Sequence, residues 1–170
     1  MDSFNEYMVR RKKSGVDIAK MAAMIVGAIV LILILLLFAQ FLGSFLLLAV
    51  VGVGYLLYIG INMQKVEFEY SVTNGELDID KITAQRKRKR VVSVRSRDFE
   101  YFAPKTAEHM SAYNDSTVTA RIDATSNTGD EGVYFAIYFK NNLKTCMSFE
   151  PTEKMLNDFA RFAPRNSFHK

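Results

Sequence analysis

Five consecutive basic residues, Arg86, Lys87, Arg88, Lys89 and Arg90, are the densest run of chemically capable side chains in this chain of 170 residues. Arg10, Arg11, Lys12 and Lys13 form a second cluster. Guanidinium and ammonium groups at such density bind anions: phosphate-bearing headgroups, phosphorylated or acidic partners, or carboxylates of the chain itself. In an extended segment Arg86, Arg88 and Arg90 face one side and Lys87 and Lys89 the other, so two different surroundings must accept positive charge. Three readings stay open. The first completes an internal ladder with Glu67, Glu69, Asp78 and Asp80, the second binds an anionic lipid headgroup or an acidic partner, and the third is a solvated edge that discourages strand-to-strand aggregation. A nucleic-acid surface would add Phe99, Tyr101 and Phe102 for stacking. The modest charge of the surrounding region, 17 basic against 15 acidic residues over 65–170, argues against it.

The other reactive side chains form no constellation. Cys146 is the sole cysteine, and the only histidines, His109 and His169, are far apart, so neither a disulfide within the chain nor a zinc pattern arises. Asp78 and Asp80 share one face of a strand, but paired carboxylates need a surrounding acid–base apparatus to act as a hydrolase. There is no glycine-rich phosphate loop and no nucleophile elbow. The expectation is a protein that is not an enzyme, with no catalytic residues, no cofactor and no metal, and with Cys146 as a small core residue.

The elements that must position the basic clusters begin with two apolar spans. Met21 to Ala39 is 19 uninterrupted apolar or glycine residues, and Phe41 to Ile61 is broken only by Ser44. About 20 such residues in a helix rising 1.5 Å each cross roughly 30 Å of hydrocarbon. Two transmembrane helices are expected at about 17–39 and 41–63 within a hairpin over 15–64. Ser14 and Asp17 form a capping signal at its start. The spans hold no charged or histidine side chain, which argues against a channel or transporter made by the hairpin alone. Basic residues flank the pair at Arg10 to Lys13, Lys20 and Lys65, while the connection near Gln40 is uncharged. The positive-inside rule therefore places the N- and C-termini in the cytoplasm. Residues 1–14 are expected to be a basic cytoplasmic segment: Arg10 to Lys13 are first an ordinary topology signal with no specific lipid, and the alternative sets Phe4, Tyr7 and Met8 at the interface with Arg10 to Lys13 on anionic headgroups.

Residues 65–170 are enough for one core. Val66, Phe68, Tyr70 and Val72 alternate with polar residues, and Asn74-Gly75 favours a type I′ turn that pairs Val72 with Leu77, Tyr70 with Ile79 and Glu69 with Asp80. Strands follow around Val118 to Ala124, Val133 to Phe139 and Leu143 to Phe149, with Asn141-Asn142 as a second hairpin turn that sets Cys146 opposite Ile137. Pro104 to Asp115 lacks a period. Met155, Phe159 and Phe162 mark an amphipathic helix at about 151–163, stopped by Pro164. The fold class expected is a membrane α-helical hairpin plus an α+β domain: an antiparallel split barrel or sheet of six or seven strands with one C-terminal helix.

This order of elements resembles bacterial membrane-anchored proteins with pleckstrin-homology-like (PH-like) domains. The block from Glu69-Tyr70-Ser71-Val72-Thr73-Asn74-Gly75 through Glu76-Leu77-Asp78-Ile79-Asp80-Lys81-Ile82 to Arg86–Arg90, with Met1-Asp2-Ser3-Phe4, is similar to a family of small Gram-positive bacterial two-helix membrane proteins carrying a domain of unknown function. The resemblance implies a PH-like cytoplasmic domain and a place in the cell membrane. It implies no activity and no catalytic residues. A protein-binding or scaffolding module is the function expected, with an unknown protein partner. The alternative is an anionic-lipid sensor using Arg86 to Arg90 together with Arg10 to Lys13.

Overall fold

The computed structural model describes residues 4–162, and they fall into two compact units. Pro164 and His169 lie outside the described residues. One unit, Lys13–Lys65, is helical. Helix α1 (Gly15–Leu37) is opened by a capping box: the Asp17 amide donates to the Ser14 hydroxyl at 3.3 Å, and the Ser14 amide donates to the Asp17 carboxylate at 3.0 Å. A short helix α2 (Ala39–Leu42) and Gly43, at φ 50°, turn the chain into α3 (Phe45–Asn62). The helices thus stop short of the expected 39 and resume after the expected 41. Apolar composition runs unbroken through this turn, and the left-handed backbone at Gly43 ends the helix where hydropathy does not. Neither long helix buries a residue in the unit, and both are long and apolar enough to cross a membrane. They pack on each other closely at Gly60, where an added Cβ would sit 3.1 Å from the Met24 sulfur.

The other unit comprises residues up to Lys12 and from Val66 onward. Its first sheet has the order β1 (Phe4–Arg10), β2 (Val66–Thr73), β3 (Glu76–Thr83) and β4 (Lys87–Arg95), all antiparallel. Its second sheet has the order β5 (Phe99–Pro104), β7 (Tyr134–Lys140), β8 (Leu143–Phe149) and β6 (Ala120–Asp123). A 3-10 turn (Ala107–His109) and a short helix α4 (Met110–Tyr113) occupy the stretch after β5 that lacks a sequence period. Helix α5 (Glu153–Phe162) follows β8 and buries Met155 and Phe159, while Phe162 stays 44% exposed. One core joins both sheets and α5: Phe68, Tyr70, Ile79 and Val92 meet Phe102, Phe149 and Phe159. The Tyr70 hydroxyl donates to the Ala124 carbonyl, tying the first sheet to the second through a satisfied buried polar group.

Three sequence expectations are corrected here. The strands number eight among the described residues, not six or seven. The separate N-terminal segment expected over 1–14 is corrected at Phe4–Arg10, which pairs with β2 along its whole length, Phe4 with Thr73 through Arg10 with Glu67. Its composition hid it: only Val9 of the seven residues is buried, so β1 has no alternation to read. The second sheet is not wholly antiparallel, since β6 runs parallel to β8, with Ile122 opposite Met147.

Candidate functional site

Lys87 to Arg90 of the basic run lie on β4, an edge strand of the first sheet. Val92 and Val94 point into the core beside Ile79 and Leu77. Simple alternation would then send Arg90 and Arg88 inward as well. A β-bulge prevents this: Ile79 faces Val92 but the next residue, Asp80, faces Arg90, so Val91 is the extra residue. A one-residue offset moves every preceding side chain to the other face. Arg90 and Arg88 are thereby placed on the outer, acidic face, and Lys89 and Lys87 on the face that elsewhere covers the core.

On the outer face the arginines are fully engaged. Arg90 grips Asp80 at 2.9 and 3.3 Å and Asp78 at 2.7 Å. Arg88 pairs with Glu69 and reaches Asp80 at 4.0 Å. Arg10, at the end of β1, extends the ladder to Glu67 at 3.1 Å. Glu69 and Asp80 are directly opposed, and both are buried. Two such carboxylates repel unless cations lie between them, which is what the arginines provide. The hydrogen bond from Arg90 is the main reason the Asp80 carboxyl is held below its ordinary range.

On the other face the register sets Lys89 directly opposite Lys81 and Lys87 opposite Thr83. Lys87 and Lys89 are exposed and Lys81 is half-buried. Among the described residues none of the three makes an ion pair. Lys81 was not singled out from sequence; the register of β3 on β4 is the signal that finds it. Arg86 sits in the turn before β4, where its amide donates to the Thr83 carbonyl at 3.2 Å. That turn is built from Ala84 and Gln85, both left-handed, at φ 54° and 57°.

The N-terminal cluster divides as well. Arg10 belongs to the ladder, and Arg11 lies 3.9 Å from Asp123. The Arg11 and Lys12 amides donate to Val66 and Ser126 carbonyls at 3.0 and 2.7 Å, so backbone pairing continues beyond β1. The Lys13 ammonium meets only the Met21 sulfur, at 3.1 Å, within its own unit.

The remaining sequence candidates are placed in or against the fold. Cys146 is buried opposite Ile137, and burial pushes its thiol up to about 11, far from a reactive thiolate. Phe99 and Phe102 are in the core, where they cannot stack on bases. The His109 ring shares a 2.9 Å hydrogen bond with the Tyr101 hydroxyl. Among the described residues no group of three His, Cys, Asp or Glu side chains is placed to hold a metal ion.

A cleft of about 580 Å³ that sequence reasoning missed lies beside the Asn74-Gly75 turn. Thr73, Glu76, Asp78, Arg95, Ser96 and Arg97 line it among others. Ser96 is only 1% exposed and, among the described residues, its hydroxyl has no hydrogen-bond partner; the Asp78 Oδ1 atom is likewise buried without one. Buried polar atoms are nearly always paired, so two unpaired ones on residues of a single cleft are unusual.

A family model described as "Bacterial PH-like domain (DUF6106)" matches residues 1–169 of the chain. No curated protein and no solved structure matches it.

Proposed function

Starting from the fact that this chain belongs to the family of bacterial PH-like domains, we propose that it is a membrane-anchored binding module. It is a scaffold that captures a protein segment rather than an enzyme. Helices α1 and α3 are the anchor in the cell membrane, and both chain ends face the cytoplasm, where Arg10 to Lys13 and Lys65 flank the spans. The pairing of β1 with β2 supports a hairpin that returns, because strands before and after the two helices share one sheet and therefore one side of the membrane.

The observation that carries the binding role is the cleft with the unpaired Ser96 hydroxyl and Asp78 carboxylate oxygen. Its polar lining and the nearby Arg95 and Arg97 suit the backbone and acidic side chains of a peptide better than an apolar small molecule. Membrane anchoring raises the effective concentration of any membrane-resident partner. A photo-crosslinking amino acid at Arg97, in the full-length protein in its membrane, tests this. The expected result is a discrete protein adduct that competes away when the paired substitution Arg95→Glu and Thr73→Arg alters the cleft. Adducts to lipid alone, or protein adducts unaffected by that pair, would remove the cleft as the binding site. Comparison with a chain that keeps the helices but lacks residues 65–170 tests the module itself: partners that persist would assign binding to the helices.

A further inference from the structure

We propose that Lys81, Lys87 and Lys89 form a face that seats the domain on anionic phospholipid headgroups. The first ground is an unresolved repulsion. Lys81 and Lys89 are directly opposed across β3 and β4, with Lys87 next along the same face, and like charges directly opposed across strands are destabilising. The bulge at Val91 makes the contrast sharp, since it directs Arg88 and Arg90 to Glu69, Asp78 and Asp80 and leaves the lysines, among the described residues, without a carboxylate partner. A cluster of cations with no internal anion is neutralised only from outside.

The second ground is where these lysines lie along the strands. Val66, the first residue of β2, pairs with Thr83, which in turn pairs with Lys87. The lysine end of β3 and β4 is therefore the end of the sheet at which the chain arrives from α3. Only three residues separate Asn62, the last of α3, from Val66, so chain length alone limits that span to about 14 Å. With α3 in a bilayer, the covalent link therefore joins this lysine end of the sheet, and not the opposite end, to the membrane span.

The third ground selects a surface over a soluble anion. The two best-formed cavities among the described residues are lined by other side chains, and all three lysines lie on an open strand face. Ammonium groups are hydrated point charges without the forked geometry that fixes one carboxylate or phosphate, and they suit a diffuse layer of headgroups. Each contributes about 1 kcal/mol near an anionic leaflet, which is about a fivefold change.

This inference rests on α1 and α3 being membrane spans, and its test separates the two. The full-length protein is reconstituted into nanodiscs of phosphatidylcholine alone or mixed with phosphatidylglycerol, and acetylation of each lysine is timed by mass spectrometry. The expected result is slowing of Lys81, Lys87 and Lys89 by about fivefold in phosphatidylglycerol discs, relieved at ~0.5 M salt. Exposed Lys154 on α5 keeps its rate. In the Lys87→Gln, Lys89→Gln variant the slowing at Lys81 shrinks. Equal rates in the two lipid mixtures overturn the inference while leaving the spans intact. Protection by inorganic phosphate in phosphatidylcholine discs overturns it in favour of a soluble anion. Failure of the protein to enter discs overturns the membrane reading and this inference with it.

Discussion

Arg88 and Arg90 are separated by one residue from Lys87 and Lys89, yet the two pairs meet opposite surroundings. The arginines lie on a face with buried Glu69 and Asp80, and they bind these carboxylates with more than one nitrogen each or across two acids. The lysines face another lysine. The difference teaches that a charged run on a strand is two surfaces, and that the side assignment belongs to pairing rather than to composition. One inserted residue at Val91 decides it. Residue chemistry agrees with the division: the planar guanidinium bridges neighbouring carboxylates on a sheet, while the flexible ammonium tolerates an undefined partner.

Charge reversal breaks the comparison most directly. Arg88→Glu with Arg90→Glu leaves Glu69, Asp78 and Asp80 without cations and adds two more anions, so the melting temperature of the full-length protein is expected to fall by several degrees. Lys87→Glu with Lys89→Glu removes the opposition to Lys81 and should leave it unchanged or slightly raised. Equal losses from both pairs would mean that the two faces do not differ.

The turn that feeds β4 gives the next largest effect. Ala84 and Gln85 both hold left-handed backbone that costs L residues about 1–2 kcal/mol each, and Asn-Gly suits this turn type. Replacing them, Ala84→Asn with Gln85→Gly, is expected to raise unfolding stability by about 1 kcal/mol in a urea titration. The acetylation contrast among Lys81, Lys87 and Lys89 should persist, because no charge has moved.

Acid gives the smallest and most specific effect. Asp80 is held below its ordinary 3.8 chiefly by Arg90, so the stability from this pair is complete above that value and is lost as pH falls below it toward the lowered one. Melting temperatures recorded between neutral pH and about pH 3 should drop more steeply for the wild type than for Arg90→Gln. Parallel curves for the two proteins would show that Asp80 gains little from its arginine.

Much of this architecture was legible in the chain. Asn74-Gly75 and Asn141-Asn142 tolerate positive φ, and they set the observed registers of Tyr70 on Ile79 and Ile137 on Cys146. The opposition of Glu69 and Asp80, and with it an internal role for part of the basic run, followed from that register. Three features escaped for physical reasons. Strand β1 shows one buried residue and finds its partner some sixty residues away. The Ala84-Gln85 turn uses residues without left-handed preference, imposed by the strands it joins. The bulge at Val91 is a mismatch between two strands, so it is written in neither alone. The cleft beside Gly75 is a tertiary feature of the same kind: Ser96 is reached from a connection after β4 and Asp78 from β3.

Strand β1 also imposes an order of events. It leaves the ribosome before both long helices, yet its partner β2 is made only after them. During synthesis the N-terminal strand has nothing to pair with until the hairpin has been delivered and more chain has followed. Completion of the first sheet is therefore a late, long-range closure, and long-range closures are slow. If α1 and α3 cross a bilayer as proposed, a chain whose helices failed to return would leave β1 and β2 on opposite sides of it, with β2 bare along one edge. On that proposal, assembly of the sheet would double as an inspection of membrane insertion, since only a hairpin that returns brings β1 and β2 to the same side.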